Sequence, residues 1–138
     1  MPRWTCPRCD REFARAKQSH TCVPGCTVDA TFAGRPPQQR QVYDALLRYL
    51  TTLGPVHEDA VSVGVFLKRE RKLAEVRPRS ADVLVLLFLP YPVENVRIRP
   101  MAGSRGARIV HRLPLRGPDE VDDDVLDWLT IAYHDASD

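Results

Sequence analysis

The sequence predicts an α+β protein, in which an antiparallel sheet of about four strands is flanked by two helices and preceded by a small zinc knuckle. Three observations lead to this fold class. All four cysteines fall within the first 26 of 138 residues, the middle of the chain reads as strands, and an amphipathic segment lies on either side of that middle. We therefore expect a knuckle in residues 1–30 and an α+β domain in residues 31–138.

The two predicted helices are marked by apolar residues at helical spacing. The first has its apolar face at Val42, Leu46, Tyr49, Leu50 and Leu53. Gly54 and Pro55 should end it, because glycine suits a helix terminus and proline cannot continue a helix. The second is expected to begin at Pro118, since the N–H that proline lacks is not needed in a first turn. Its apolar face is Val121, Val125, Trp128, Leu129 and Ala132.

The predicted strands differ in how they should be buried. Residues 61–67 alternate with a period of two, and the charged stretch 68–72 reads as a hairpin turn before a return strand at residues 73–76. Residues 83–89 are continuously apolar, as expected for a central strand. A last strand carries Ile109, His111, Leu113 and Leu115 on one side, which makes His111 a core histidine rather than a catalyst.

The formal net charge of +2 conceals an uneven distribution. Residues 64–116 carry twelve basic and four acidic side chains, whereas residues 117–138 carry eight acidic and none basic. This asymmetry suggests an anionic partner. No apolar run reaches the length of a membrane helix, and no secretory leader is evident, so we expect a cytoplasmic protein with no membrane partner.

The cysteines predict a structural zinc site. Cysteines in a cytoplasmic chain stay reduced, and Cys6 and Cys9 form a C-x2-C pair that can grip one Zn²⁺ from a single turn. Two ligand sets compete for the remaining positions, namely Cys22 with Cys26, or His20 with Cys22. Pro24 and Gly25 disfavour the helix that the first set requires, so the second is preferred and Cys26 is the alternative fourth ligand. Either set fills all four positions, which is typical of a structural site.

The opening stretch WTCPRCDREFARAKQSHTC resembles the start of an uncharacterised group of small bacterial proteins. In that group a W-x-C-P-x-C knuckle and a Q-S-H-x-C closing precede the α+β domain of unknown function 5655. The stretches FAGRPPQQRQVYDAL and LRGPDEVDDDVLDWLTIAY are similar to that domain. The resemblance implies that Cys6, Cys9, His20 and Cys22 are the shared cluster. It implies no particular activity.

Nucleic-acid binding is the leading functional hypothesis. Cations that contact phosphates and aromatic rings that stack on bases are its usual ingredients. The candidate contacts lie in the finger and in the basic hairpin: Arg3, Arg8, Arg11, Arg15, Lys17, Lys68, Arg69, Arg71 and Lys72. The first alternative is a protein-interaction or regulatory module that docks through the finger. The second is an enzyme with a site on the α+β domain, for which the sequence identifies no catalytic residue.

Overall fold

The computed structural model of the chain describes residues 3–7, 11–13, 16, 25–101 and 108–137. The strands are β1 (Trp4–Thr5), β2 (Glu12–Phe13), β3 (His57–Val61), β4 (Gly64–Lys68), β5 (Lys72–Pro78), β6 (Val83–Leu89), β7 (Arg99–Pro100) and β8 (Ile109–Leu115). The helices are α1 (Val28–Phe32), α2 (Pro37–Leu53) and α3 (Asp123–Asp135), with a 3-10 turn at Pro118–Glu120.

The strands confirm the predicted antiparallel α+β class and correct the strand count. Strands β3 to β8 form one six-stranded sheet in the order β3-β4-β5-β6-β8-β7, and β1 pairs with β2 in a separate hairpin. The sequence predicted one strand over residues 61–67, which is wrong, because β3 ends at Val61 and β4 begins at Gly64. Val63, one of the alternating valines, lies in the connecting turn and is 65% exposed. The alternation continues through the two-residue loop Ser62–Val63, so the period alone could not reveal the turn, even though Gly64 closes it.

One face of the sheet carries the hydrophobic core. Strand register places Val65, Val76, Val85 and Leu113 in one row across β4, β5, β6 and β8. All four are fully buried in the same cluster as the apolar residues of α2 and α3, including Tyr43, Leu46, Leu50, Trp128 and Leu129. The two predicted helices therefore lie together on this face, where they cover the apolar rows of the sheet.

The ends of the helices show why their boundaries fall where they do. α2 ends at Leu53, as predicted, and Gly54 follows with a φ of 151°. α3 begins later than predicted, because Pro118 starts only a 3-10 turn. The side chain of Asp122 accepts a hydrogen bond from the Val125 N–H at 3.3 Å, so Asp122 rather than a residue beside Pro118 is the N-cap.

His111 lies on the helix-covered face, as predicted, and is fully buried. Its Nε2 accepts a hydrogen bond from the Val93 N–H at 2.9 Å, and its Nδ1 lies 3.0 Å from the Ile109 carbonyl oxygen. Nε2 must be unprotonated to accept, so the ring is neutral with its proton on Nδ1. Burial lowers the pKa of His111, which agrees with a neutral core histidine.

The opposite side of the sheet is here called the open face. Its central row runs across the strands through Phe66, Glu75, Leu86, Arg112 and Arg99. The long helices α2 and α3 pack on the other face, so this row lies outside the main core. None of the described helices combines the length and the apolar character that a membrane span requires.

Candidate nucleic-acid interface

The first described residues form a small antiparallel pair of strands. Trp4 lies opposite Phe13 across β1 and β2, and the Cys6 N–H donates to the Arg11 carbonyl oxygen at 2.9 Å. The side chain of Cys6 is buried beside Phe13. Cys6 therefore lies directly after β1, in the small apolar cluster of the hairpin.

Of the other predicted zinc ligands, the described residues include only Cys26. Cys9, His20 and Cys22 lie outside the described residues, and Cys26 is exposed just before α1. Cys26 Sγ lies 3.4 Å from both the Thr27 carbonyl oxygen and Thr31 Oγ1. Within the described ranges, no group of three or more His, Cys, Asp or Glu side chains converges as metal ligands would.

A buried ionic cluster joins the hairpin to the sheet. Asp59 on β3 accepts from Arg11 Nη2 at 3.0 Å and from Lys68 Nζ at 2.8 Å. Phe13 and Phe66 provide the aromatic surroundings, since Lys68 Nζ lies 4.3 Å from the Phe13 centroid and Arg11 Cζ lies 5.2 Å from both centroids. Arg11, Asp59 and Lys68 are each less than a tenth exposed. Two predicted nucleic-acid contacts, Arg11 and Lys68, thus have internal partners.

The electrostatics of this cluster favour the ionised state of its carboxylate. Burial raises the pKa of Asp59, but the hydrogen bonds from Arg11 and Lys68 outweigh burial, so the net pKa lies below its ordinary value. Burial lowers the pKa of Lys68 against the opposing effect of Asp59. The one carboxylate is therefore shared by two cations, and the cluster carries a net positive charge.

The tip of the basic hairpin docks on the end of α3. Arg69 stacks over the Tyr133 ring at 4.1 Å and donates to the Tyr133 carbonyl oxygen at 3.1 Å. Arg71 donates to the carbonyl oxygen of Asp135, and its Nη2 lies 3.9 Å from Oδ1 of the same residue. The last carbonyls of a helix carry partial negative charge, so these cations stabilise the C-terminus of α3. The basic hairpin therefore acts as a helix cap.

The remaining predicted contacts follow the same pattern where they are described. Lys72 Nζ lies 4.3 Å from the Phe66 centroid and 5.6 Å from that of Phe88, and burial lowers its pKa. Arg3 donates to the Arg69 carbonyl oxygen at 3.0 Å. The finger cations Arg8, Arg15 and Lys17 lie outside the described residues.

A second basic site lies at the other end of the open face and was not singled out from the sequence. Arg99 on β7 and Arg112 on β8 are direct register partners, and both are exposed. In the described part of the chain, neither forms an ion pair with a carboxylate, whereas the neighbouring Arg97 is held by Asp122 at 2.6 Å. Arginines directly opposite each other repel, so this pair is unfavourable unless an anion lies between them.

A groove runs beside these two arginines. It has a volume of about 580 Å³, and its walls combine the guanidinium groups with apolar side chains: Val96, Arg97, Arg99, Pro100, Met101, Arg112 and Pro114. Volumes of this size accommodate small organic groups. The sequence does contain one signal for this site, in the stretch H-R-L-P. Successive side chains of a strand point to opposite faces, so a buried His111 places Arg112 on the exposed face.

Comparison with known proteins gives one match. No curated protein and no solved structure matches the chain. The family described as domain of unknown function (DUF5655) matches residues 28–136, which cover β3 to β8 and all three helices. The chain therefore belongs to the DUF5655 family.

Proposed function

We propose that this protein is a non-catalytic nucleic-acid-binding module that contacts phosphates through the open face and is braced at the opposite edge by a zinc knuckle. The observation that carries the proposal is the Arg99–Arg112 pair, two exposed cations in direct register. Their mutual repulsion is relieved by a bound anion, and the planar guanidinium group matches phosphate oxygens well.

The choice of surface follows from how the other cations are used. Arg11, Lys68, Arg69 and Arg71 each contact a carboxylate, a helix terminus or an aromatic ring within the protein. A cation that already has a partner gains less from phosphate than one without a partner. The hairpin therefore contributes to the positive field of the molecule more than to direct contacts. The finger cations Arg8, Arg15 and Lys17 stay in the proposal as further contacts.

Zinc belongs to the same proposal. Cys6, Cys9, His20 and Cys22 would hold one Zn²⁺, and of these four the described residues include Cys6, which is buried beside Phe13. The sulfur of Cys26 already contacts Thr27 and Thr31, which favours His20 over Cys26 as the ligand beside Cys22. Bound zinc would hold the hairpin that carries Arg11 and Phe13 against β3 and β4. Thiolate ligands require reduced cysteines, in keeping with a cytoplasmic location.

Fluorescence anisotropy with short labelled DNA and RNA, across a salt series on zinc-loaded protein, tests the proposal. We expect micromolar or tighter binding that weakens with salt. In the variant Arg99→Ala/Arg112→Ala, affinity should fall for every sequence and the salt slope should decrease by about 2, one per lost phosphate contact. The control Arg35→Ala/Arg48→Ala removes the same charge from exposed positions around α2 and should change little.

The outcomes separate the candidate functions. Loss of binding in Arg8→Ala/Arg15→Ala but not in Arg99→Ala/Arg112→Ala would move the interface to the finger. Equal losses in the open-face variant and its control would show that only net charge matters, which contradicts a defined interface. Absence of binding even at low salt would overturn nucleic-acid binding and leave the protein-interaction module and the enzyme as the alternatives.

A further inference from the structure

Building on the proposed function, we infer that the groove beside Arg99 and Arg112 binds an unpaired base, so that the protein prefers single-stranded over double-stranded nucleic acid. The inference rests on the shape and chemistry of the groove rather than on its charge. A site that only neutralises phosphates needs exposed cations, but this one adds a concave apolar wall.

The groove has the two components that an unpaired nucleotide requires. Pro100, Met101 and Pro114 line it with apolar surface, and Arg99 and Arg112 lie beside them. Unpaired bases stack on apolar or aromatic groups and on guanidinium planes, while the same guanidinium groups bind the adjoining phosphate. In a duplex the bases are stacked on each other and turned inward, so they cannot enter such a groove without unpairing.

The surroundings of the groove favour this use. Val96 at its rim is 91% exposed and Met101 is 37% exposed, so large apolar groups face solvent next to two cations. The aromatic ring of Phe88, elsewhere on the open face, is flanked by Arg108 and Lys72. The Phe88 ring thus already has cationic partners, and the groove offers apolar surface of its own.

Three labelled probes of equal length test the inference on the zinc-loaded full chain: a single-stranded oligonucleotide, its duplex, and a single strand of abasic sites. We expect the single strand to bind about tenfold more tightly than either of the others, the factor that corresponds to about 1.4 kcal/mol and lies within the range for stacking one base. The abasic strand retains the phosphates, so it isolates the contribution of the base.

Two variants locate the effect. Val96→Ser/Met101→Ser changes no charge and should reduce the single-strand preference while leaving duplex and abasic binding unchanged. Arg99→Ala/Arg112→Ala should weaken binding of all three probes. Equal binding of the three probes by the unmodified protein would overturn base selection but leave phosphate binding intact. Binding of none of them would instead overturn the proposed function itself.

Discussion

Arg11 Nη2 and Asp59 Oδ2 lie 3.0 Å apart, and the two side chains are 7% and 4% exposed. This ion pair spans 48 residues of sequence and connects the N-terminal hairpin to the first strand of the large sheet. Lys68 completes it from the neighbouring strand. The hairpin is therefore bound to the sheet through a buried charge cluster, which makes Asp59 the residue on which this contact depends.

Removing Asp59 should destabilise the protein strongly. Asp59→Ala leaves two buried cations without their carboxylate, and losses of about 3–5 kcal/mol are typical of such a change. Urea denaturation followed by circular dichroism measures it. The matched control Asp44→Ala removes an exposed partner of Arg40 and should cost less than about 1 kcal/mol. Replacing the whole cluster by Arg11→Met/Asp59→Leu/Lys68→Met should cost less than Asp59→Ala alone. The opposite order would show that ion pairing, rather than desolvation of unpaired charge, dominates this site.

Gly54 should not tolerate a side chain. Its φ of 151° is strained for other residues, and a Cβ at this position would lie 2.3 Å from the Tyr133 hydroxyl oxygen. We expect Gly54→Ala to lower the free energy of unfolding by about 1–3 kcal/mol. Adding Tyr133→Phe removes the clashing oxygen, so the double variant should lose less than the sum of the two single losses. Strictly additive losses would mean that backbone strain alone accounts for the effect.

The protein should become less stable at acidic pH, because the buried His111 is neutral in the folded state. The pKa of His111 is lowered by burial from an unfolded value of about 6.5. Below that value the unfolded state binds more protons, so the free energy of unfolding decreases as pH falls from about 6.5 towards the folded pKa, by at most about 1.4 kcal/mol per pH unit for this group. Thermal melts from pH 7.5 to 5 measure the slope. Burial also lowers the pKa of His57, so His57→Gln/His111→Gln should flatten the profile more than either substitution alone. An unchanged slope in the double variant would contradict this assignment.

Zinc removal should unfold the finger and spare the α+β domain. Among the described residues of the hairpin, the apolar cluster comprises Trp4, Cys6 and Phe13, whereas the sheet and its helices have a larger core of their own. After chelation we expect most far-UV circular dichroism to remain while the fluorescence of Trp4 changes; Trp128→Phe isolates that signal. Among ligand variants, Cys26→Ser should retain zinc and Cys22→Ser should lose it. Loss at Cys26 with retention at His20→Ala would reverse the choice of ligands.

Glu94 should weaken nucleic-acid binding at the Arg99 site. It lines a second cavity of about 430 Å³ together with Asn95, Val96 and Arg99. A carboxylate there repels phosphates, because like charges raise the free energy of the bound state. Glu94→Gln should therefore tighten binding about twofold at low salt, and the gain should shrink as salt screens the charge. The control Glu70→Gln changes an exposed charge at the hairpin tip and should have a smaller effect. Equal gains in both variants would contradict a local role for Glu94.

The sequence by itself determined those features of the fold that depend on residues close together along the chain. The period of α2, its end at Gly54, the central position of β6 and the inward position of His111 all follow from local spacing, and the structure confirms each of them. The continuous apolar run of β6 did not show that Leu86 and Phe88 are only half-buried, on the open face. The same information placed the basic hairpin at residues 68–72, between strands that end at Lys68 and resume at Lys72. The turn at Ser62–Val63 escaped it because the period-two alternation continues through the turn, and the two-residue strand β7 escaped it because two residues are too few to show a period.

Only the tertiary structure decided which charges are used internally. Arg11 meets Asp59 across 48 residues, and Arg71 meets Asp135 across 64 residues, so no local pattern predicts these pairs. Nothing in the local sequence distinguishes Arg99 and Arg112 as a pair from the other arginines. The antiparallel register of β7 and β8 is what places them opposite each other. The sequence shows how many cations a segment carries. How strongly each cation can bind an anionic ligand depends on the carboxylates and rings near it, and only the fold determines which of those groups are close.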